Sequence, residues 1–159
     1  MDDISAVILK DTYSLAQFKH RVKILKSTLL KTFFNSNAQN QPLSPEDLNW
    51  LKSLPVDFYQ KFNKDNVYQI FTDLEAKTTK LPTLTMYLTF EPDDITIDQI
   101  GAYTRRTFSS MMMLDIKFDP QLIAGTALVW KGMYKDYSLR TRINSKKEEI
   151  LQEFKKFLR

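Results

Sequence analysis

The sequence predicts an α+β protein in which a helical bundle is followed by a small mixed β-sheet with two helices. Two observations predict this order. Up to about residue 80, apolar residues recur every three or four positions, which is the period of helices buried along one face. From Leu84 to Phe90, apolar and polar residues alternate, which is the period of a strand. We therefore divide the chain into a bundle, residues 1–80, and an α+β domain, residues 81–159, and expect a hinge near Leu81.

Composition excludes several classes of site. The chain of 159 residues has no cysteine, which excludes disulfides, zinc thiolate sites and cysteine nucleophiles. Its one histidine, His20, is not enough for a histidine metal cluster. The net charge of +4 is shared evenly between the two parts and permits nucleic-acid binding without favouring it. The acidic start Met1-Asp2-Asp3 is unlike a secretory signal, so we expect a cytosolic chain.

Local signals predict the helices of the first part. Residues 4–9 are interpreted as a short helix, and Ser14 opens a long one through a capping box with Gln17. The lysines of the long helix fall off its apolar stripe and are interpreted as its solvated face. A polar loop is expected over residues 35–45.

Three further helices are expected before the sheet. Ser44 caps the first of them, with Pro45 at its first position and two carboxylates behind it. A short helix follows around Phe58, and Asp65 is predicted to cap another that runs to about Lys80.

The second part is predicted as strand, helix, three strands and a final helix. The helix runs from Asp93 to about residue 109, and the later strands cover residues 112–118, 123–130 and 134–137. Lys131-Gly132-Met133 is predicted to form a tight hairpin, and the last helix reaches residue 158. Gly101 indicates either a close approach to a sheet or a tolerated defect. The run Met111-Met112-Met113 is interpreted as strand filler, with an adaptable contact surface as the alternative.

No catalytic, cofactor-binding or metal site is predicted. The acidic pairs Asp93-Asp94 and Glu148-Glu149 stand at helix starts, where the helix dipole alone favours carboxylates. The three glycines are too widely spaced for a phosphate-binding loop.

The alternative function is single-stranded nucleic-acid binding. A strand-helix-strand order can present aromatic rings on a sheet for stacking with bases, beside basic side chains. The candidates are Tyr87, Phe90, Trp130 and Tyr134, with Arg105, Arg106, Arg140 and Arg142.

From residue 82 to the end, the chain resembles a known family. After strand, helix and strand, Asp119 precedes Leu122-Ile123-Ala124-Gly125, which starts a hairpin with Gly132 in its turn. Asp136-Tyr137-Ser138 and Arg140 then lead into the last helix. This order resembles the delta subunit of F-type ATP synthases, the family of the oligomycin-sensitivity-conferring protein, with alanine and tyrosine replacing two glycines of its pattern. The first part is shorter than the family's helical bundle and lacks its Tyr-Ala-x-Ala-Leu opening.

The resemblance implies a non-catalytic stator subunit without a cofactor. Its bundle would bind the N-terminal ends of the alpha subunits, and its sheet domain would bind the b subunit of the peripheral stalk. It would lie on the cytoplasmic side of the membrane, held there only through the complex. Such docking needs apolar faces that accept amphipathic helices. The candidate interface residues, each of which has core packing as its alternative, are Phe33, Phe34, Trp50, Phe58, Tyr59, Trp130 and Tyr134.

Overall fold

The structure is a computed structural model that describes residues 3–34 and 43–157, and it confirms the α+β prediction. Most of the loop expected over residues 35–45, and the expected helix end at residue 158, lie outside these residues. Within the described residues, helices come first and the sheet follows. The helices of the bundle are α1 (Asp3–Lys10), α2 (Leu15–Phe34), α3 (Pro45–Ser53), α4 (Val56–Tyr59) and α5 (Val67–Thr78).

Capping boxes start α2 and α3; the sequence predicts the box at Ser14 and, at Ser44, only the cap. Before α2, the Ser14 hydroxyl accepts from the Gln17 amide at 3.1 Å, and the Gln17 side chain accepts from the Ser14 amide at 3.2 Å. Before α3, Ser44 and Asp47 make the same reciprocal pair. Each pair satisfies backbone N–H groups that a helix start leaves free.

The start of α5 differs from the prediction, which placed a cap at Asp65. Asn66 is the residue that precedes the helix, and its side chain does not cap it. Instead, Asn63 Oδ1 accepts from the amides of Asp65 and Asn66 at 3.0 and 2.9 Å, and Asn66 Oδ1 accepts from the Asn63 amide at 2.8 Å. The side chains of the two asparagines therefore stabilise the turn before α5. Asp65 contributes its backbone amide as a donor to this turn.

The bundle encloses an apolar core that also receives one residue of the sheet. The rings of Phe58 and Phe62 lie 5.3 Å apart, and those of Phe62 and Phe71 stack at 5.8 Å. Met113 from the second strand is fully buried in the same cluster. The two parts of the chain therefore share buried apolar surface, and this burial stabilises their contact. Other fully buried members of the cluster are Ile8, Leu25 and Val67.

The strands of the sheet are β1 (Thr83–Leu88), β2 (Met113–Phe118), β3 (Thr126–Trp130) and β4 (Met133–Asp136). The sheet is mixed, with the strand order β2-β1-β3-β4. Helix α6 (Asp94–Thr107) connects β1 to the parallel strand β2, as such a crossover requires. The pairs β1–β3 and β3–β4 are antiparallel.

The register gives the sheet two unlike faces. On one face, Leu84 pairs with Leu114, and Ile100 of α6 packs over their cluster. On the other face, Asp115 accepts from Thr85 Oγ1 at 3.4 Å and lies 3.5 Å from Lys117 Nζ. Asp115 therefore has polar contacts on this face, one of them with the neighbouring strand.

The third strand begins later than predicted, at Thr126 instead of residue 123. Ile123 and Gly125 have φ angles of 68° and 91°, which interrupt extended backbone. The hairpin between β3 and β4 is confirmed at Lys131 and Gly132, with φ angles of 49° and 77°, whereas Met133 already belongs to β4. Two consecutive positive φ angles are typical of the turn that matches the twist of a hairpin.

The last helix is divided in two, α7 (Leu139–Ser145) and α8 (Lys147–Phe157), which separate at Lys146. Neither contains a buried residue. No helix within residues 3–34 and 43–157 is both long enough and apolar enough to cross a bilayer.

The connection between α1 and α2, residues 11–14, is bonded to the outer edge of the sheet, and we call it the elbow. The Leu114 amide donates to the Tyr13 carbonyl at 2.8 Å, and Ser14 forms a parallel bridge with Leu114. Gly101 of α6 is buried directly against Tyr13. Gly101 therefore marks a close approach and not a tolerated defect, but its neighbour is this elbow and not the sheet that the sequence suggests.

Candidate docking surfaces

The aromatic candidates at the end of α2 are accessible to different degrees. Phe34 is 42 % exposed, and its ring lies 5.9 Å from that of Tyr68, which is 55 % exposed. Phe33 is half-buried against the bundle core. The open aromatic surface here therefore consists of Phe34 and Tyr68, and Tyr68 was not among the residues singled out from the sequence.

The candidates on α3 and α4 are less available. Phe58 is only 1 % exposed, so it belongs to the core and cannot serve as a free docking residue. Tyr59 donates its hydroxyl to the Leu51 carbonyl at 2.6 Å, and burial raises the pKa of that hydroxyl. Trp50 is half-buried, with the Arg21 guanidinium 5.2 Å above its ring. This group mainly fixes α3 and α4 on α2.

A groove runs between α2 and α5, and we call it the basic groove. It has a volume of about 420 Å³, an apolar floor and a rim of lysines. The sequence predicts these lysines to be the solvated face of α2, and Lys19 and Lys23 are indeed exposed. Lys26 reaches across to Glu75 on α5 at 3.3 Å. The lining residues are Phe18, Lys19, Val22, Lys23, Lys26, Glu75, Thr78 and Thr79.

A second groove of about 400 Å³ adjoins the first between α1 and the end of α5. It shares Phe18 and Thr78 with the basic groove and adds Lys77 and Lys80 to its rim. The bundle therefore carries a continuous apolar depression edged by positive charge. Sequence periodicity could not reveal it, because the floor residues have the same spacing as core residues.

The apolar face of the sheet is only partly covered, and we call its open part the sheet groove. It has a volume of about 230 Å³ and lies between the end of α6 and the β3–β4 hairpin. Trp130, a predicted interface residue, lies in this groove. Phe108 and Met133, which are 59 % and 60 % exposed, also line it but were not predicted as interface residues. The lining residues are Leu84, Phe108, Met112, Leu128, Trp130, Met133, Lys135 and Tyr137.

The motif residues shared with the delta family hold one junction of the backbone. Asp119 Oδ1 accepts from the Gln121 amide at 3.0 Å, and Leu122 is buried beneath this turn. Gly125 has no room for a side chain, because an added β-carbon would lie 2.7 Å from the Tyr137 carbonyl oxygen. Ala124 and Tyr137, which replace family glycines, both lack a positive φ angle. The two departures from the family pattern therefore fit the backbone.

Asp136 and Ser138 start α7 at this junction. The Ser138 hydroxyl caps α7 at the Thr141 amide, at 3.4 Å. Asp136 accepts from the Ser138 amide at 2.7 Å and from Thr141 Oγ1 at 2.8 Å. These hydrogen bonds, led by those with Ser138, lower the pKa of Asp136 to about 2. Arg140 lies in the first turn of α7 and is exposed.

The helices that leave this junction present a row of exposed apolar side chains, which we call the C-terminal apolar row. Phe154 and Phe157 are 62 % and 87 % exposed. Ionised side chains flank them, and Lys156 pairs with Glu153 at 2.7 Å. An amphipathic helix whose apolar side meets water is a candidate for binding another element. The row comprises Leu139, Ile143, Ile150, Leu151, Phe154 and Phe157.

The residues of the nucleic-acid alternative do not gather on one face. Trp130 pairs with Met133 and Val129 pairs with Tyr134, so Trp130 and Tyr134 point to opposite faces of the sheet. Arg105 is engaged with the α1–α2 elbow. A stacking surface would therefore have only part of the proposed aromatic and basic side chains.

The acidic pairs take up the positions at helix starts that the sequence predicts. Asp93 caps α6 by accepting from the Thr96 amide at 2.8 Å, and Glu148 and Glu149 lie in the first turn of α8. Among the described residues, no three histidine, aspartate or glutamate side chains come together as a metal site.

Comparisons with known proteins agree with the resemblance at a distance. No protein-family model matches the chain. The chain is similar to the ATP synthase subunit delta of Nitrobacter winogradskyi, with 26 % identity over 155 residues. The match covers 94 % of this chain and 83 % of that protein. The similarity therefore includes the shortened bundle as well as the sheet, and it connects the chain distantly with delta-type subunits.

Proposed function

We propose that this chain is a delta-type stator subunit that links the catalytic head of an F-type ATP synthase to its peripheral stalk. In this role it would hold the stationary parts together so that proton-driven rotation is coupled to ATP synthesis, without catalysing a reaction itself. The observation that carries the proposal is the similarity to an ATP synthase subunit delta over both parts of the chain. Separate apolar docking surfaces on the two parts support a linking role.

The bundle would bind the head through the basic groove and the aromatic pair beside it. An apolar floor with lysines on its rim fits an amphipathic helix that has acidic side chains along its edges. We assign the N-terminal ends of the alpha subunits to this groove. Phe34 at the end of α2 and Tyr68 at the start of α5 are in ring contact. This aromatic pair would extend the docking surface beyond the groove.

The sheet domain would bind the end of the stalk b subunit. The sheet groove and the C-terminal apolar row both expose aliphatic and aromatic side chains. A helical stalk end can cover such surfaces by packing its own apolar face against them. The complex, and not a segment of this chain, would then keep the subunit at the cytoplasmic side of the membrane.

The test is co-purification of a tagged chain with alpha and b subunits from detergent-solubilised membranes. Reversing the charge at Lys19 and Lys23 should abolish co-purification of the alpha subunits, because these lysines border the basic groove. Co-purification of the b subunit should remain. The matched control reverses Lys52 and Lys64, which are exposed elsewhere on the bundle. Recovery of neither alpha nor b with the unmodified chain would rule out the proposed function.

The hairpin offers a second matched pair. Met133 and Tyr134 are neighbours with 60 % and 58 % exposure, and they point to opposite faces of the sheet. Met133→Asp should release the stalk while Tyr134→Asp retains it. The reverse pattern would move the stalk site to the polar face. If labelled oligonucleotides bound tightly with a steep dependence on salt, the nucleic-acid alternative would replace this function.

A further inference from the structure

The contact between bundle and sheet centres on one arginine of α6. Arg105 Nη1 donates to the Leu9 carbonyl at 2.7 Å, and Nη2 donates to the Thr12 carbonyl. Its Nε donates to the Met112 carbonyl at 3.1 Å, next to β2. A single guanidinium thus bonds the end of α1 and the elbow, which lie more than 90 residues before it in sequence, and also the segment that enters β2.

The Leu9 carbonyl lies in the last turn of α1 and also accepts from the Thr12 amide at 3.3 Å, whereas the Thr12 and Met112 carbonyls lie outside the helices. The last carbonyls of a helix have no partner within the helix, and leaving one unpaired in a buried place costs free energy. Arg105 meets this need with a rigid fork of donors that a lysine cannot reproduce. Its guanidinium also lies 4.6 Å above the Tyr13 ring, which fixes its plane.

The elbow is held from the bundle side as well. Arg21 of α2 donates to the Asp11 carbonyl and, at 2.7 Å, to Thr12 Oγ1. Thr12 is fully buried between the two arginines. The elbow is therefore fixed to α2 by Arg21 and to α6 by Arg105.

We propose that Arg105 is a lock that makes the bundle and the sheet domain one rigid body. The hinge expected near Leu81 then does not operate, because movement there would break the Arg105 bonds, withdraw Tyr13 from Leu114 and expose Met113. Stiffness is a property of this chain alone and does not depend on which partners it binds.

The test measures distances within the purified full chain. Since the chain has no cysteine, Asp57→Cys in the bundle and Glu91→Cys after β1 can each carry a spin label at an exposed position. We expect a single narrow distance distribution. Arg105→Ala should broaden it about twofold or add a second distance, and Arg105→Lys should fall between the two. Arg106→Ala, the exposed neighbour, is the matched control and should match the parent.

An unchanged distribution in a folded Arg105→Ala variant would overturn the proposal. Hydrogen exchange in the unmodified chain decides the matter even if that variant does not fold. The Leu114 amide, which faces Tyr13, should exchange as slowly as the amides between β1 and β3. If the Leu114 amide exchanged about tenfold faster or more, the contact between the elbow and β2 would open on its own. This result too would overturn the proposal.

Discussion

The β-carbon that Gly101 lacks would lie 2.3 Å from the β-carbon of Tyr13. This distance is shorter than any real contact between carbon atoms in a protein, so α6 can approach the elbow only with glycine at this position. Because the obstacle is the base of the Tyr13 side chain, a rotamer change cannot relieve it. The helix and the elbow would have to move apart.

We therefore expect Gly101→Ala to lower the free energy of unfolding by about 1–3 kcal/mol, the usual cost of overpacking. Alanine would gain about 1 kcal/mol of helix propensity, which is too little to offset the clash. Urea unfolding measures the difference. The control Ala102→Gly, at an exposed position of the same helix, should cost only the propensity difference. A Gly101→Ala variant more stable than the parent would contradict the close approach.

Gly125 and Gly132 form a second comparison, because both have positive φ angles in different surroundings. An added β-carbon at Gly125 would meet the Tyr137 carbonyl at 2.7 Å, whereas at Gly132 it would meet nothing within 4 Å. Gly132→Ala should cost about 1–2 kcal/mol, from backbone strain alone. Gly125→Ala should cost more. Equal losses of thermal stability would show that the contact with Tyr137 is unimportant.

Phe58 and Phe34 should behave as core and surface. Phe58→Ala removes a ring that is 1 % exposed and should cost about 3–5 kcal/mol. Phe34→Ala removes a ring that is 42 % exposed, so we expect a loss below about 1 kcal/mol. If the proposed function holds, Phe34→Ala also weakens binding to an alpha-subunit N-terminal peptide. Unfolding and peptide titration of both variants provide the check, and unchanged affinity of folded Phe34→Ala would exclude this surface.

Asp136 should make the stability of the fold depend on pH in the acidic range. Its hydrogen bonds with Ser138 and Thr141 lower its pKa to about 2 in the folded chain, below the unfolded value of about 3.9. The ionised form therefore stabilises the fold above about pH 4–5, and this contribution is lost as pH falls towards about 2. Asp136→Asn lacks it, so the difference in thermal stability between parent and variant should shrink over that range. A difference that stays constant down to pH 2 would contradict the assignment.

Removal of α8 should separate binding from stability. None of the residues in α8 is buried, so a chain that ends at Lys146 should differ in unfolding free energy by less than about 0.5 kcal/mol. If the proposed function holds, the same chain should no longer co-purify with the stalk b subunit. A full-length chain with Phe154→Ser and Phe157→Ser is the matched control and should behave alike. Stalk binding by both variants would leave the sheet groove as its site.

Local chemistry explains what could be predicted from the sequence. The capping box at Ser14, the cap at Ser44 and the hairpin at Lys131-Gly132 depend on neighbouring residues, and the structure confirms all three. The order of helices and strands follows from apolar periodicity, which reports burial directly. These features needed no knowledge of contacts between distant residues.

What could not be predicted depends on distant contacts. The pairing of Tyr13 with Leu114 joins residues about 100 positions apart, and neither carries a local signal for it. The accessibility of the candidate interface residues also depends on distant contacts. Trp130 lies in the sheet groove, but Phe58 is core, and the lysines that border the basic groove have the spacing of an ordinary solvated face.

The C-terminal apolar row has a consequence for how the cell must supply this protein. If the proposed function holds, a copy that has not yet joined its complex displays phenylalanines on a helix with no buried residue. Chaperones and proteases engage surfaces of this kind. We expect orphan copies to be short-lived, so that synthesis in step with the partners, and not the folding of the chain itself, sets how much of it accumulates.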